Sequence, residues 1–205
     1  MYIDGFNWYY GIFKERPAWK WLNVRSFFEF LRPDDSIDCI KMFTAIVDPD
    51  KPSPRRERML RYVAALHTLN GVKVILGKYQ TRTVVCGASC GLKYDVATEK
   101  MTDVNIAVHM IADSMTESFD RLILVTGDSD LQPAVRWIRS NRKEKRLHVY
   151  VPSIAEQQSS RRLDFYGRIG VPCGFLPLDG IERHLLPNTI MNADGIALER
   201  PESWK

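Results

Sequence analysis

Two aspartates follow an apolar run of the chain at a spacing suited to chemistry. Residues 122–125 are all apolar, which is typical of a strand buried on both faces, and a glycine ends the run. Asp128 and Asp130 come next, before residues 131–139, which have the pattern of a helix with Pro133 in its first turn. The pair is therefore predicted at the carboxyl end of a central strand, where open α/β sheets bind ligands. An N-cap role accounts for one aspartate and leaves the second unexplained.

Two further aspartates are predicted near this edge. Asp4 follows a short N-terminal strand, and the amide of Asn7 stands three residues later. A strand-ending turn is the alternative for this segment, because Asp, Gly and Asn all favour turns. Asp103 lies in the first turn of a helix for which Thr102 is the predicted N-cap, and an acid there also complements the helix dipole. If that helix packs antiparallel to the strand it feeds, Asp103 meets the other aspartates.

A group of four carboxylates would have a definite chemistry. Like charges at close range repel, so such a group predicts a bound divalent cation. Oxygen ligands favour Mg²⁺ or Mn²⁺ over Zn²⁺. A cation held in this way activates water to attack a phosphodiester and stabilises the leaving oxygen. The predicted ligands and catalytic residues are Asp4, Asp103, Asp128 and Asp130.

The elements that must position these residues alternate between strand and helix, which predicts a mainly parallel sheet between two helical layers. Residues 79–85 extend a strand or form a small hairpin. In the helix that begins near Asp103, apolar residues at helical spacing are Val104, Ala107, Val108, Ile111 and Met115. Ile106 and Met110 add apolar surface on a neighbouring face, so we expect this helix to be deeply packed. The predicted strands are residues 1–3, 37–47, 72–76, 122–125, 147–151 and, at an edge, 170–176. The predicted helices are residues 23–31, 53–70, 131–139 and 161–166.

Length and composition limit the classes of protein. The 205 residues suit one domain, and 45% hydrophobic with 26% charged residues is ordinary for a soluble globular protein. No apolar run has the length of a membrane span and the N-terminus lacks a secretory pattern, so a cytoplasmic protein is expected. The four cysteines are irregularly spaced, and the pair Cys86 and Cys90 lacks the second pair of a zinc site. We expect a catalytic domain over residues 1–152 and an extension, 153–205, that packs on it.

Aromatic and basic residues indicate where a partner binds. Residues 8–33 form an aromatic-rich insertion, which we interpret as mostly core, with exposed rings near Asp4 available to stack bases. The net charge of +4 permits an anionic partner. Arginine suits phosphate contacts, so we expect several arginines to line an approach for RNA. These candidates are Arg55, Arg56, Arg58, Arg136, Arg139, Arg142 and Arg161.

Three segments together resemble a known family. Residues 2–7 (Tyr-Ile-Asp-Gly-Phe-Asn), 99–104 (Glu-Lys-Met-Thr-Asp-Val) and 126–130 (Thr-Gly-Asp-Ser-Asp) are similar to the motifs of NYN domains, which belong to the PIN-like nuclease superfamily. The bacterial LabA-like branch matches best, over residues 1–151. The chain departs at Met101, where the commoner motif, Lys-Gly-x-Asp, has glycine.

The resemblance implies a three-layer α/β/α sandwich around about five parallel strands and metal-dependent endoribonuclease activity. It implies that the four aspartates bind Mg²⁺ or Mn²⁺, either directly or through water. Asn7 and Ser129 become supporting polar groups, and Glu99 becomes an outer carboxylate. RNA is the implied partner, while cleavage of DNA and a homodimeric state both stay open.

Other classes fit the residues less well. A haloacid-dehalogenase-type phosphatase needs an acid two residues after its nucleophile, where this chain has Phe6, and a Toprim-type domain has glutamate in the place of Asp4. No glycine-rich phosphate loop of the Rossmann or P-loop kind is present. Two alternatives of another class remain: a non-catalytic RNA-binding scaffold of the same fold, and a regulatory protein that uses its aromatic segment as an interface.

Overall fold

The protein is built on a six-stranded parallel sheet with helices on both faces. The computed structural model describes residues 1–47, 52–87, 90–154 and 160–205, with Ala97 described for its backbone only. The strands are β1 (Tyr2–Asp4), β2 (Ile40–Thr44), β3 (Val72–Leu76), β4 (Lys78–Val85), β5 (Lys93–Lys100), β6 (Arg121–Val125), β7 (Arg146–Val151), β8 (Cys173–Phe175), β9 (Thr189–Met191) and β10 (Ala197–Glu199). The α-helices are α1 (Gly5–Trp8), α2 (Val24–Leu31), α3 (Pro54–His67), α4 (Thr102–Ser114), α5 (Gln132–Asn141) and α6 (Ser160–Gly167). Shorter helical turns are Tyr9–Phe13, Pro17–Trp21, Ser129–Leu131, Ile181–His184 and Glu202–Trp204.

The order of the strands places a crevice at the middle of the sheet. The order is β3-β2-β1-β6-β7-β8, and every neighbouring pair is parallel. The chain runs outward from β1 to β2 and β3, then returns to the other side of β1 with β6. Ile3 of β1 pairs with Met42 of β2 on one side and with Val125 of β6 on the other. The topological switch point therefore lies between the carboxyl ends of β1 and β6, where ligands bind in sheets of this kind.

The two faces of the sheet bury separate clusters of side chains. Side chains alternate along each strand, so Ile3 packs towards α2 and α3 while Tyr2 packs towards α4 and α5. Phe27 and Phe28 of α2 are fully buried on the first face, and Ile106 of α4 is fully buried on the second. The predicted three-layer α/β/α class is confirmed, with six strands in the sheet instead of about five.

The predicted deep packing of α4 is confirmed on one face and wrong on the other. Ala107 and Ile111 pack against the core, whereas Met115 is exposed. Val104 and Val108 are 64% and 59% exposed, whereas Ile106 and Met110 are fully buried against the sheet. Apolar residues occur on both sides of this helix, so periodicity alone selects no face. The side of α4 that carries Ile106 is the one that packs against the sheet.

Other differences concern the ends of elements. The second strand is shorter than residues 37–47 and covers only Ile40–Thr44. Residues 79–85 belong to β4, which pairs antiparallel with β5 as a hairpin outside the central sheet. In α3, Leu60 is exposed, and Tyr62 packs against the core.

The aromatic-rich segment is mostly core, as expected. Trp8, Phe13 and Trp21 are buried, while Tyr10 is 55% and Phe30 49% exposed. No helix in the described part of the chain is both long enough and apolar enough to cross a membrane.

The C-terminal part of the chain packs on the same body. β8 adds to the edge of the central sheet beside β7. The hairpin of β9 and β10 places Ile190 and Leu198 against buried Trp21.

Candidate active site

Asp4 is a buried hydrogen-bond acceptor at the switch point, with 1% of its surface exposed. Its Oδ1 accepts hydrogen bonds from the backbone N–H groups of Phe6 (3.1 Å) and Asn7 (3.0 Å), which caps α1. Its Oδ2 accepts from Asn7 Nδ2 at 2.7 Å and from Thr126 Oγ1 at 2.8 Å. A carboxylate offers about four lone-pair sites, so protein donors occupy nearly all of the acceptor capacity of Asp4.

Asn7 and Thr126 join the end of β1 to the end of β6. Asn7 Oδ1 accepts from the Gly127 backbone N–H at 3.0 Å. Thr126 Oγ1 donates to Asp4 and accepts from the Asp128 backbone N–H at 3.1 Å. The first and third motifs are therefore one hydrogen-bonded unit, although more than 100 residues separate them in the chain.

Gly5 is required where it stands. A Cβ at this position would lie 2.6 Å from the carbonyl oxygen of Phe43 in β2. The missing side chain lets α1 turn directly over the end of the sheet, which sets the position of Asn7.

Asp128 and Asp130 lie in the turn after β6. Asp128 Oδ1 accepts from the Asp130 backbone N–H at 2.9 Å and caps the short helix Ser129–Leu131. The capping role considered for one aspartate of the pair is thus confirmed for Asp128. Among the described residues, no protein donor reaches Asp128 Oδ2 or either side-chain oxygen of Asp130. Ser129 lies between them, half-buried in the same turn.

The predicted N-cap of α4 is wrong. Met101 is the N-cap residue and Thr102 already lies in the helix. The backbone N–H of Thr102 donates to Glu99 Oε1 at 2.9 Å, so a side chain from the end of β5 provides the cap. Met101 has φ 79°, the one positive φ of a non-glycine residue in the described part of the chain. This is the position at which the commoner motif has glycine, the residue that adopts such a φ without strain.

Asp103 lies close enough to the other carboxylates for their charges to affect its pKa. Burial is the largest of the effects that together raise the pKa of Asp103 to about 6, and the charges of Asp4, Asp128, Glu99 and Asp130 follow in that order. Burial also raises the pKa of Asp4, against its hydrogen bonds, and Asp128 adds to the rise. These pKa shifts are expected of carboxylates that crowd together. We call Asp4, Asp103, Asp128 and Asp130 the carboxylate edge.

The carboxylate edge fits a hard cation by its donor set, because it offers oxygen atoms only. Within the described ranges, however, no three histidine, cysteine or acidic side chains converge as a formed metal cage. The site therefore consists of neighbouring carboxylates, one of them saturated by protein donors and three with free oxygens.

Two residues near these carboxylates were not identified from the sequence alone. The hydroxyl of Tyr166 in α6 donates a hydrogen bond to the backbone oxygen of Asp128. Burial and the charges of the carboxylate edge raise the pKa of Tyr166. Arg162 lies one turn earlier in α6, its Cδ 3.7 Å from where a Cβ of Gly127 would be. The spacing of four residues between Arg162 and Tyr166 was the available signal, because it puts both on one face of a helix.

The arginines predicted to contact RNA lie in several different parts of the structure. Arg142 forms ion pairs with Glu117 (2.9 Å) and Glu144 (2.7 Å), at the end of α5 opposite the turn of Asp130. The guanidinium of Arg139 lies against Gly170. The structure does not bring these two arginines to the carboxylate edge.

The remaining candidates lie on three helices. Arg136 of α5 donates to Gln132 Oε1 at 3.1 Å, and Arg161 of α6 is exposed. Arg55 and Arg58 of α3 line a cavity beside Gly5 and Phe6. Arg56 of α3 has a buried Nε without a hydrogen-bond partner in the described part of the chain.

A parallel sheet with a cluster of acids at its switch point is the architecture of PIN-like α/β nucleases. The family model of the NYN domain matches residues 1–165. The chain belongs to the NYN domain family, as its three motifs predicted. Members of this family are PIN-like in fold and are typically nucleases.

A relative named for a different activity also matches the chain. It is 6-hydroxy-3-succinoylpyridine 3-monooxygenase HspA of Pseudomonas putida (strain DSM 28022 / S16), 29% identical over 192 residues. The alignment covers 78% of this chain and 61% of the relative, so the chain spans about three fifths of that relative's length. No solved structure matches the chain significantly.

Proposed function

We propose that the protein is a metal-dependent endoribonuclease that hydrolyses RNA at the carboxylate edge. The observation that supports this most is the hydrogen-bonded unit in which Thr126 joins Asp4, at the end of β1, to the backbone of Asp128 after β6. The raised pKa of Asp103 is consistent with a position near these acids. Crowded acids at the switch point of an NYN domain are poised for a divalent cation, Mg²⁺ or Mn²⁺.

The free oxygens define the roles of the acids. Asp103, Asp130 and Asp128 Oδ2 would hold the cation, since Asp128 Oδ1 alone among the oxygens of these three carboxylates accepts a hydrogen bond from a described residue. Asp4 acts as a positioning residue, because its oxygens already accept from Phe6, Asn7 and Thr126. When bound, the cation lowers the pKa of an attacking water and neutralises charge on the phosphate.

Other residues of the chain orient this group. Asn7 and Thr126 fix Asp4 and the backbone of Gly127 and Asp128. Glu99 caps α4 and so fixes the turn that presents Asp103. Arg162, beside Gly127, is placed to contact a phosphate of the RNA.

Cleavage of labelled RNA in the presence of Mg²⁺ or Mn²⁺ tests the proposal. We expect Asp128→Asn to reduce the rate by at least about a hundredfold, since it removes a ligand charge. Asp120→Asn is the matched control, because Asp120 is exposed and pairs with Arg146 beside the start of β6. Equal rates for wild type and Asp128→Asn would overturn the proposal. RNA binding without cleavage would instead support the scaffold alternative, and DNA of the same sequence tests the choice of substrate.

The name of the relative indicates a second reaction, oxygenation of a hydroxypyridine. The observation in favour is the cavity beside Gly5 and Phe6, which Arg55, Arg58 and several aromatic rings line and which suits an aromatic anion. Oxygen chemistry of this kind relies on a redox cofactor, and the sequence has no glycine-rich dinucleotide loop. Oxygen uptake with the pyridine and a reduced nicotinamide would reveal this activity.

A further inference from the structure

A cavity of about 200 Å³ lies on the other side of α1 from the carboxylate edge. Phe6 and Tyr79 contribute rings at its wall, with centroids 6.1 Å apart. The aromatic residues that line it are Phe6, Trp8, Tyr9, Tyr10, Phe13, Tyr62, Tyr79 and Trp204. Drug-sized ligands occupy pockets of roughly 300 Å³ or more, so this space suits one planar ring system. We call it the aromatic cavity.

Three cations stand at the aromatic cavity. They are Lys20, Arg55 and Arg58, and within the described residues no acidic side chain forms an ion pair with any of them. Lys20 Nζ lies 5.1 Å from the centre of the Tyr9 ring. Burial lowers the pKa of Lys20, and the charges of Arg58 and Arg55 lower it further. A cavity that gathers cations in this way is complementary to an anion.

The walls of the cavity are flat and apolar. Trp8 is 1% exposed, and its Nε1 N–H is buried without a hydrogen-bond partner in the described part of the chain, so it is not accessible to a ligand. The cavity therefore offers a ligand aromatic walls and positive charge.

The position of the cavity links it to the carboxylate edge. Asp4 caps α1, and the following residues Gly5, Phe6 and Trp8 line the aromatic cavity. One turn of helix therefore separates the proposed site of cleavage from the rings.

We propose that the aromatic cavity binds one base of the RNA substrate, while Lys20, Arg55 and Arg58 hold the adjoining phosphate. This proposal rests on the proposed function and adds a subsite to it. Stacking on aromatic side chains accepts any base, so the cavity would position RNA next to the carboxylate edge with little dependence on sequence.

Calorimetric titration of the metal-free protein tests the subsite apart from catalysis. The probes are AMP, CMP, ribose 5-phosphate and benzoate. We expect the nucleotides to bind at least about fivefold more tightly than ribose 5-phosphate, because only they carry a base to stack. Equal affinity for the nucleotides and ribose 5-phosphate, or tighter binding of benzoate than of nucleotides, would overturn the proposal.

Matched variants locate the binding. Tyr10→Ser and Arg58→Gln alter exposed or half-buried lining residues and are expected to weaken AMP binding at least about fivefold. Tyr94→Ser and Arg61→Gln, whose positions do not line the aromatic cavity, are expected to leave the affinity unchanged. Equal losses in test and control variants would contradict the assignment.

The outcome for the subsite is separable from the outcome for the nuclease. Nucleotide binding that Tyr10→Ser abolishes, in a protein that cleaves no RNA, would support the subsite and reject the nuclease. Cleavage of RNA with a KM that neither Tyr10→Ser nor Arg58→Gln changes would support the nuclease and reject the subsite.

Discussion

The carboxylate edge and the aromatic cavity use opposite sides of the same short helix and have opposite charge. At the edge, Asp103 is surrounded by other acids, and its pKa rises. In the cavity, burial and then the charges of Arg58 and Arg55 lower the pKa of Lys20. An RNA phosphate is repelled by the first region unless a cation is bound there, whereas it is attracted by the second directly. This difference in charge is consistent with our proposal that the aromatic cavity holds the substrate and the carboxylate edge reacts with it.

Gly5→Ala should damage both regions at once. The new Cβ would lie 2.6 Å from the Phe43 carbonyl oxygen, so α1 has to move. We expect a loss of about 2–3 kcal/mol in the free energy of unfolding, measured with urea, together with loss of RNA cleavage and of AMP binding. The control is Gly174→Ala, since a Cβ at Gly174 meets nothing within 4 Å. Intact AMP binding in Gly5→Ala would show that α1 does not couple the two regions.

Thr126→Val should damage only the carboxylate edge. The change removes the donor to Asp4 and leaves the Asp128 backbone N–H without its acceptor. We expect a loss of about 1–3 kcal/mol in stability and slower cleavage, with unchanged AMP binding. Thr126→Ser keeps the hydroxyl and should restore both properties. If the serine variant behaves like the valine variant, packing and not hydrogen bonding is the cause.

Asp103→Asn should stabilise the protein in the absence of metal ions. The folded pKa of Asp103, about 6, exceeds the ordinary value of 3.8, so the folded state loses stability as pH rises from 3.8 to about 6. The amide carries no charge and avoids this loss. At pH 7 we expect a gain of about 1–2 kcal/mol in urea unfolding, with no difference near pH 3.

The effect of Asp103→Asn has two controls, which are the variant Asp120→Asn and the addition of Mn²⁺. The pKa of Asp120 is lowered by Arg146, so Asp120→Asn should not stabilise the protein. Addition of Mn²⁺ should reverse the order of wild type and Asp103→Asn at pH 7. An equal gain at pH 3 and pH 7 would mean that charge repulsion is not the cause.

Met101→Gly should have the smallest effect and leave both regions intact. A left-handed φ costs a residue with a Cβ about 1–2 kcal/mol, and the greater freedom of unfolded glycine offsets part of the gain. We expect about 0.5–1 kcal/mol of added stability in urea unfolding. Lys100→Gly, in the adjoining strand β5, should destabilise instead. A loss of stability in Met101→Gly would show that the Met101 side chain outweighs its backbone strain.

The sequence predicted best what depends on short stretches of the chain. The strand Val72–Leu76 has its predicted bounds, and α2, capped by Asn23, covers Val24–Leu31 within the predicted helix of residues 23–31. The alternation of strands and helices correctly predicted the layered architecture, and the three motifs correctly predicted the NYN family. Each of these features depends on residues that are close together in the sequence.

What depends on distant residues was predicted poorly. The cap of α4 comes from Glu99 of the preceding hairpin, and the face that α4 buries is chosen by the sheet. Tyr166 reaches Asp128 from a helix that carries no motif. The aromatic cavity joins Tyr10, Arg58 and Tyr79, which no local pattern connects.

Titration of the protein with Mn²⁺, followed by calorimetry and by electron paramagnetic resonance, tests the central claim most directly. The account predicts saturable binding at the carboxylate edge, with release of protons near pH 6 as Asp103 ionises. Asp103→Asn should weaken that binding at least about tenfold, while Asp120→Asn should not change it. Absence of saturable binding, or equal binding in wild type and Asp103→Asn, would contradict the account.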